Sequence, residues 1–223
     1  KITATELAGN VSNFSTMFNV TVDATAPGKQ TIDLVTDNVE PQTGEILYDS
    51  YTNDRTPTLE GTAEAFSQVD IYDGVTLVGT TFAASDGKWS YTTPVLTEET
   101  SYSFTVKAVD RAGNESVASD SFVLHVTTEV PIPTVDGAID NIGAFKGTLV
   151  SDSYTDDLRP ELFGKAKAGS TVRIYEGTST IPTASTLADG VTGDWSWIPS
   201  SDLIEGVTYS YTVTAEDGAG NVS

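Results

Sequence analysis

The stretch Tyr102-Ser103-Phe104-Thr105-Val106-Lys107-Ala108-Val109-Asp110-Arg111-Ala112-Gly113-Asn114 decides how this chain folds. Its first seven residues alternate. Tyr102, Phe104, Val106 and Ala108 take one face, while Ser103, Thr105 and Lys107 take the other. Successive side chains of a strand point to opposite faces, so this is a strand with one buried face. It runs into an Asp-Arg-Ala-Gly-Asn turn, built from residues that favour tight turns. The pattern returns 107 residues later as Tyr209-Ser210-Tyr211-Thr212-Val213-Thr214-Ala215-Glu216-Asp217-Gly218-Ala219-Gly220-Asn221. A third copy of the turn stands near the start as Glu6-Leu7-Ala8-Gly9-Asn10.

Working outward, residues 32–64 align without a gap on 135–167 at an offset of 103, with 13 of 33 positions identical. The offset grows to 106 at Trp89/Trp195 and 107 at Tyr102/Tyr209, which places small insertions of the second copy in a loop between Gly177 and Tyr209. A fixed period of about 100 residues reads as tandem domains. The phase gives 1–27 as the last strands of one repeat plus a linker, 28–130 as a whole repeat, and 131–223 as a repeat without its last strand. Further strands are expected at 58–64, 69–73, 77–82 and 88–92, and on Phe122, Leu124 and Val126, a face matched by Phe18, Val20 and Val22. Gly, Pro, Asn and Asp clusters separate them, and no stretch has helical periodicity. About seven short strands per 100 residues predict an all-β fold of immunoglobulin-like sandwiches set end to end as a rod. Trp89, Trp195 and Trp197 fall on inward faces, which argues for core packing over sugar stacking.

Composition narrows the function. Eleven Lys and Arg stand against 32 Asp and Glu, a formal net charge of -21. Nucleic-acid binding and docking on anionic lipid both need a basic face, so neither is expected. No run of about 18 apolar residues offers a membrane span. Without cysteine there is no disulfide and no thiolate metal site. Strands rich in Val, Ile, Leu, Tyr and Phe exclude a disordered acidic tail.

The acids concentrate in connections. Successive connections of such a sandwich alternate between its two poles. The connection 37–57 then lies at the C-terminal pole, with Asp37, Glu40, Glu45, Asp49 and Asp54 and the oxygen donors Asn38 and Asn53. The turn at Asp110–Asn114 lies at the opposite pole. In a tandem array Asp37 and Asp54 should face Asp217 of the next repeat, with Glu129 of the linker between them. At the front end Asp23 should lie near Asp110. Asp140 and Asp157 repeat the positions of Asp37 and Asp54. Carboxylates about 4 Å apart repel by roughly 1 kcal/mol in water and more at lower dielectric. A bound cation relieves this, and hard oxygen donors without His or Cys favour Ca2+. Asp and Asn are also ordinary turn formers, and that reading stands beside the metal reading.

The linker Val22-Asp23-Ala24-Thr25-Ala26-Pro27, the turns at 37–40 and 140–143, the run Thr52-Asn53-Asp54-Arg55-Thr56-Pro57-Thr58-Leu59-Glu60-Gly61-Thr62-Ala63-Glu64 and its copy at 155–166, and the Ala-x-Asp-x-Ala-Gly-Asn turns at 108–114 and 215–221 resemble the bacterial Ig-like repeats of giant non-fimbrial adhesins of the Bap and SiiE type. The resemblance covers nearly the whole chain. It implies type I secretion, an extracellular place at the bacterial cell surface, and adhesion to host cells or biofilm matrix through other parts of the parent protein. It also implies Ca2+ between neighbouring repeats. Two departures bear on the metal. Glu40 stands where the next repeat has Gly143, and the linker position of Asp23 holds Thr127, so that either Glu129 substitutes as the acid or the second junction binds Ca2+ more weakly.

These repeats are expected to be structural spacers with no catalytic role. The alternative is a carbohydrate- or receptor-binding module of a surface protein, which needs aromatics exposed together on one face. A glycosidase needs paired carboxylates in one cleft. His125 is the only histidine and sits on an outward strand face, so no Ser-His-Asp set is expected.

Overall fold

The computed structural model describes residues 1–144 and 146–223. Among the described residues all regular secondary structure is strand. The first repeat holds β1 (Thr31–Asp37), β2 (Gly44–Glu45), β3 (Ser50–Thr52), β4 (Thr58–Thr62), β5 (Gln68–Asp73), β6 (Thr76–Phe82), β7 (Lys88–Thr92), β8 (Thr100–Val109) and β9 (Phe122–Val126). They form two sheets, ordered β2-β1-β4-β7 and β3-β9-β8-β5-β6. All pairs are antiparallel except β3 with β9.

The second repeat holds β10 (Gly137–Asp140), β11 (Gly147–Leu149), β12 (Glu161–Lys165), β13 (Thr171–Glu176), β14 (Ala184–Leu187), β15 (Asp194–Trp197) and β16 (Tyr211–Glu216). Its sheets are β11-β10-β12-β15 and β14-β13-β16. The β5–β6 hairpin turns through Gly74 and Val75, whereas 177–183 connect β13 to β14, so the added residues of the second copy begin there.

The core lies between the sheets and follows the alternation. Phe104, Val106 and Ala108 of β8 are fully buried and meet Val35, Leu59, Val69, Ile71 and Leu124. Burying one such large apolar side chain contributes about 1.5–3 kcal/mol. The second core gathers Leu162, Val172, Ile174, Trp195 and Ala215, with Trp197 packed against it. Trp89 and Trp195 are both buried. Each lies across a glycine of the neighbouring strand. A Cβ on Gly61 would come within 2.7 Å of the Trp89 ring, and one on Gly164 within 2.9 Å of the Trp195 ring.

Residues 1–27 differ from expectation. Phe18, Val20 and Val22 form no strand and are exposed. Their alternation is a strand pattern, but nothing in these 27 residues supplies the facing sheet that would bury it. The leading segment is organised chiefly by its own turn, where Thr5 and Val11 form an antiparallel bridge.

Candidate functional site

Asp37, Asn38 and Asp54 sit together at the end of β1 and in the loop after β3. Their geometry is an inward clamp. Asp37 Oδ1 accepts from the Val39 N–H (2.7 Å) and Oδ2 from the Thr52 hydroxyl (2.5 Å). Thr52 Oγ1 in turn accepts from the Asp54 N–H. Asp54 accepts from the N–H groups of Asn38 and Thr56 and from the Thr56 hydroxyl, and its residue is fully buried. The clamp recurs in the second repeat. Asp140 accepts from Ile142 N–H and Thr155 Oγ1, and Asp157 from Asn141 and Arg159 N–H. Four of these N–H groups lie two residues after their Asp, which is the Asx-turn spacing, and Asp54 and Asp157 also reach back 16 residues to Asn38 and Asn141. The expectation that Asp37 and Asp54 turn toward Asp217 is therefore corrected. Both bond inside their own domain, to part-buried N–H groups and to the Thr52 and Thr56 hydroxyls.

The Asp-x-Ala-Gly-Asn turns form the opposite pole. Asp110 Oδ1 accepts from the N–H groups of Ala112 and Asn114, and Oδ2 from Asn114 Nδ2. The Asn114 side chain, with backbone N–H groups of the turn, holds the Asp110 carboxyl below its ordinary range against the opposing effect of burial. Asn114 Nδ2 also reaches the Asp23 carbonyl (3.3 Å). Asp217 and Asn221 repeat every part, and Asn221 Nδ2 donates to the Thr127 carbonyl at 3.0 Å. Each turn asparagine thus fastens the linker that enters its own domain. The Asp23 carboxylate accepts from its own Thr25 N–H. Glu129 is exposed and lines a shallow depression with Pro131, Lys165 and Lys167.

What meets Asp217 across the junction is a cation of the chain itself. Lys167 Nζ lies 3.3 Å from Asp217 Oδ2, 3.7 Å from Glu99 Oε2, and 2.7 Å from Thr127 Oγ1. Thr127 Oγ1 also bonds Glu99 Oε1 at 2.5 Å. Tyr51 packs on Gly218 and Gln42 on Gly220, so the poles of the two repeats touch directly. Lys167, Glu99, Tyr51 and Gln42 escaped the sequence reading. The signal for one of them was present, because Lys167 aligns with Glu64 at the end of the matched stretch. Among the described residues no three Asp, Glu or His side chains gather to hold a metal ion. With an ammonium beside Asp217, this junction does not fit a divalent cation.

A further correction concerns His125. The structure does assemble a Ser-His-Asp row. His125 Nδ1 lies 2.6 Å from Ser101 Oγ, and Nε2 lies 2.9 Å from Asp49 Oδ1. Ser101 and His125 are directly opposed on β8 and β9, and the turn before β3 brings Asp49 alongside. Distance in sequence hid this set. The ring nitrogens are used in the reverse of the serine-hydrolase order, and the Asp49 side chain is 63% exposed. The row ties the turn at 47–50 to the β8–β9 pair, and Tyr51 lies 5.0 Å over the imidazole.

Two sandwich repeats joined pole to pole define a tandem immunoglobulin-like protein. A family model described as a bacterial Ig-like domain matches residues 29–128 and again 131–223, so the chain belongs to that family. Exoglucanase B of Cellulomonas fimi is 31% identical over 228 residues, covering 98% of this chain and 18% of that protein. Chitinase A1 of Niallia circulans is 32% identical over 160 residues, covering 69% of this chain and 20% of that protein. The chain spans about a fifth of the length of these relatives. Among solved structures, the human OSCAR ligand-binding domain aligns at a TM-score of 0.42 with 12% identity, covering 89% of this chain and 94% of that one.

Proposed function

We propose that these repeats are non-catalytic spacers of a large bacterial protein at or outside the cell surface, holding another part of that protein away from its anchor. The observation that carries the reading is the joint itself. Asn221 of one repeat holds the Thr127 carbonyl leaving the other, beside the Lys167 contacts. Spacing needs a defined angle between neighbours and no cleft. In the adhesin form of this reading, other parts of the parent bind host cells or biofilm matrix, and secretion is by a type I system.

Calcium belongs to the front junction in this proposal. There Asp23, Glu64 and Asp110 take the positions that Thr127, Lys167 and Asp217 hold at the second one. All three offer hard oxygen, but they do not gather around one point in this chain, so an ion there would draw further donors from a preceding repeat. Asp140 and Asp157 would serve a following junction only through lone pairs their clamps leave free. Calcium titrated by calorimetry into a longer segment that carries the preceding repeat tests this. Binding that Glu64→Lys abolishes is expected, and heat that this change leaves intact refutes the front site.

The spacer role is tested in the parent protein. Replacing 28–223 by a flexible linker of equal residue number should lower surface attachment while secretion continues. Unchanged attachment rejects it. A second reading is favoured by the exoglucanase and the chitinase among the relatives. It makes these repeats spacers inside a secreted polysaccharide-degrading enzyme. Retention of the isolated chain on cellulose or chitin would instead make it a binding module.

A further inference from the structure

We propose that the Lys167 ammonium stands in for a divalent cation at the junction between the two repeats, making this joint independent of metal. The inference deepens the spacer reading and rests on it only for the meaning of a fixed joint. Three differences between the copies and one contact they share carry it.

The first is charge. The front pole carries Glu64, and the second carries Lys167 at the same strand end. Asp23 likewise becomes Thr127, whose hydroxyl bridges Lys167 and Glu99. Two acids give way to one cation and one neutral donor. The Asp217 side chain is only 5% exposed, and a carboxylate so deeply covered needs a partner. Lys167 supplies it from within the fold.

The second is shape. The front pole carries Phe66 and Arg111, with the guanidinium 4.5 Å over the ring. Both positions are glycine in the next repeat, Gly169 and Gly218. The bared turn is where Tyr51 of the preceding repeat packs, 3.0 Å from where a Cβ on Gly218 would stand. A pole stripped of two large side chains is cut to receive a neighbour.

The third is strain. Glu99 has a φ of 51°, in the left-handed region that a side chain disfavours. Three residues before the matched tyrosine, the second repeat has Gly206 with a φ of 78°. The first repeat keeps a carboxylate where glycine fits better, and that carboxylate faces Lys167 and Thr127.

The shared contact is the buried donor of Asn221, matched at the front pole by Asn114. Asn221 Nδ2 bonds both the Thr127 carbonyl and Asp217, so the linker, the turn and the lysine form one network. A divalent cation added here meets an ammonium that already holds both the covered Asp217 carboxylate and that of Glu99.

The chain has no cysteine, so spin labels at Ser85→Cys and Thr178→Cys report one distance across the joint. Dipolar spectroscopy on the full chain should give a single narrow peak, the same in millimolar calcium and in chelator. Lys167→Met should lose the narrow peak in both. Glu99→Gln should broaden it without touching the second domain, which guards against a folding defect at Lys167. Lys167→Glu should lose the peak in chelator and regain it in calcium. A wild-type peak that narrows on adding calcium overturns the proposal. So does a Lys167→Met peak as narrow as wild type, or a Lys167→Glu peak that calcium leaves broad. These readouts concern only the second joint. A failure here leaves the front-site titration and the attachment experiment standing, and their failure leaves this one.

Discussion

Asp54 shows how a residue read as a surface ligand can be a buried acceptor. It is flanked by Asn53 and Arg55 in a polar connection, yet it is fully buried and receives three hydrogen bonds. Asp54→Ala leaves the part-buried donors of Asn38 and Thr56 without their acceptor. The first repeat should lose about 1–3 kcal/mol, read as a lower urea midpoint with unchanged slope. Equal midpoints would show that water reaches the clamp. Turn acids that titrate behave differently. Asp110 is held below its ordinary value of 3.8 by the Asn114 side chain and then by backbone N–H groups. Asp189 is lowered by the N–H groups of Thr192 and Val191, and Asp194 by Lys165. A carboxyl whose folded pKa is depressed binds its proton more readily in the unfolded chain. Its stabilisation is complete above the unfolded value and is lost as pH falls through the folded one. Melting temperature should be level above pH ~5 and drop on acidification below pH ~4. Asp110→Asn should flatten part of that drop, and an identical acid limb in wild type and variant would remove Asp110 from the account.

At the scale of elements, β4 and β12 explain why a glycine recurs within each repeat. Gly61 lies under the Trp89 ring and against the Thr31 carbonyl, and Gly164 lies under Trp195 and against Thr134. A methyl group has no space at either place, and overpacking a core costs about 1–3 kcal/mol. Gly61→Ala should lower the first repeat's melting temperature and leave the second repeat's transition in place. Loss of both transitions together would mean the repeats unfold as one unit. The strands were legible because their alternation is local. β8 holds the alternating residues 102–108, and Phe104, Val106 and Ala108 on its inward face are the buried ones. The sheet faces of Trp89 and Trp195 were legible for the same reason. The leading Phe18–Val22 pattern was misleading, since alternation reports what a strand would bury and not whether a partner sheet is present. The acids were located at their poles, but the direction of each carboxylate was not. Whether Asp37 serves Val39 and Thr52 or a neighbouring repeat is settled by backbone N–H groups in need of acceptors, which a residue pattern does not show. The Ser101-His125-Asp49 row needed the β8–β9 register and the placement of the turn, neither of which composition supplies.

Across the whole molecule the two poles of the whole repeat do different work, and the difference can be transplanted. Arg111 sits on the front pole with its guanidinium over Phe66. Its counterpart Gly218 carries no side chain and receives Tyr51. The backbone at this turn position accepts a large residue in one repeat, and Gly218 is not among the glycines with positive φ. Gly218→Arg should therefore fold in the second repeat as Arg111 does in the first. It should collide with Tyr51 and add a second cation beside Lys167, whose acceptors Asp217 and Glu99 are already engaged. Steric exclusion and like-charge repulsion act in the same direction, and neither touches a core residue. The expected outcome is two preserved melting transitions with a larger and broader distribution of maximum dimension in small-angle scattering. Tyr51→Ala in the same chain should recover much of the wild-type dimension by restoring room, while leaving the charge. If Gly218→Arg scatters like wild type, the Tyr51 contact does not set the angle between the repeats. If Tyr51→Ala fails to restore the dimension, charge and not shape opens the joint.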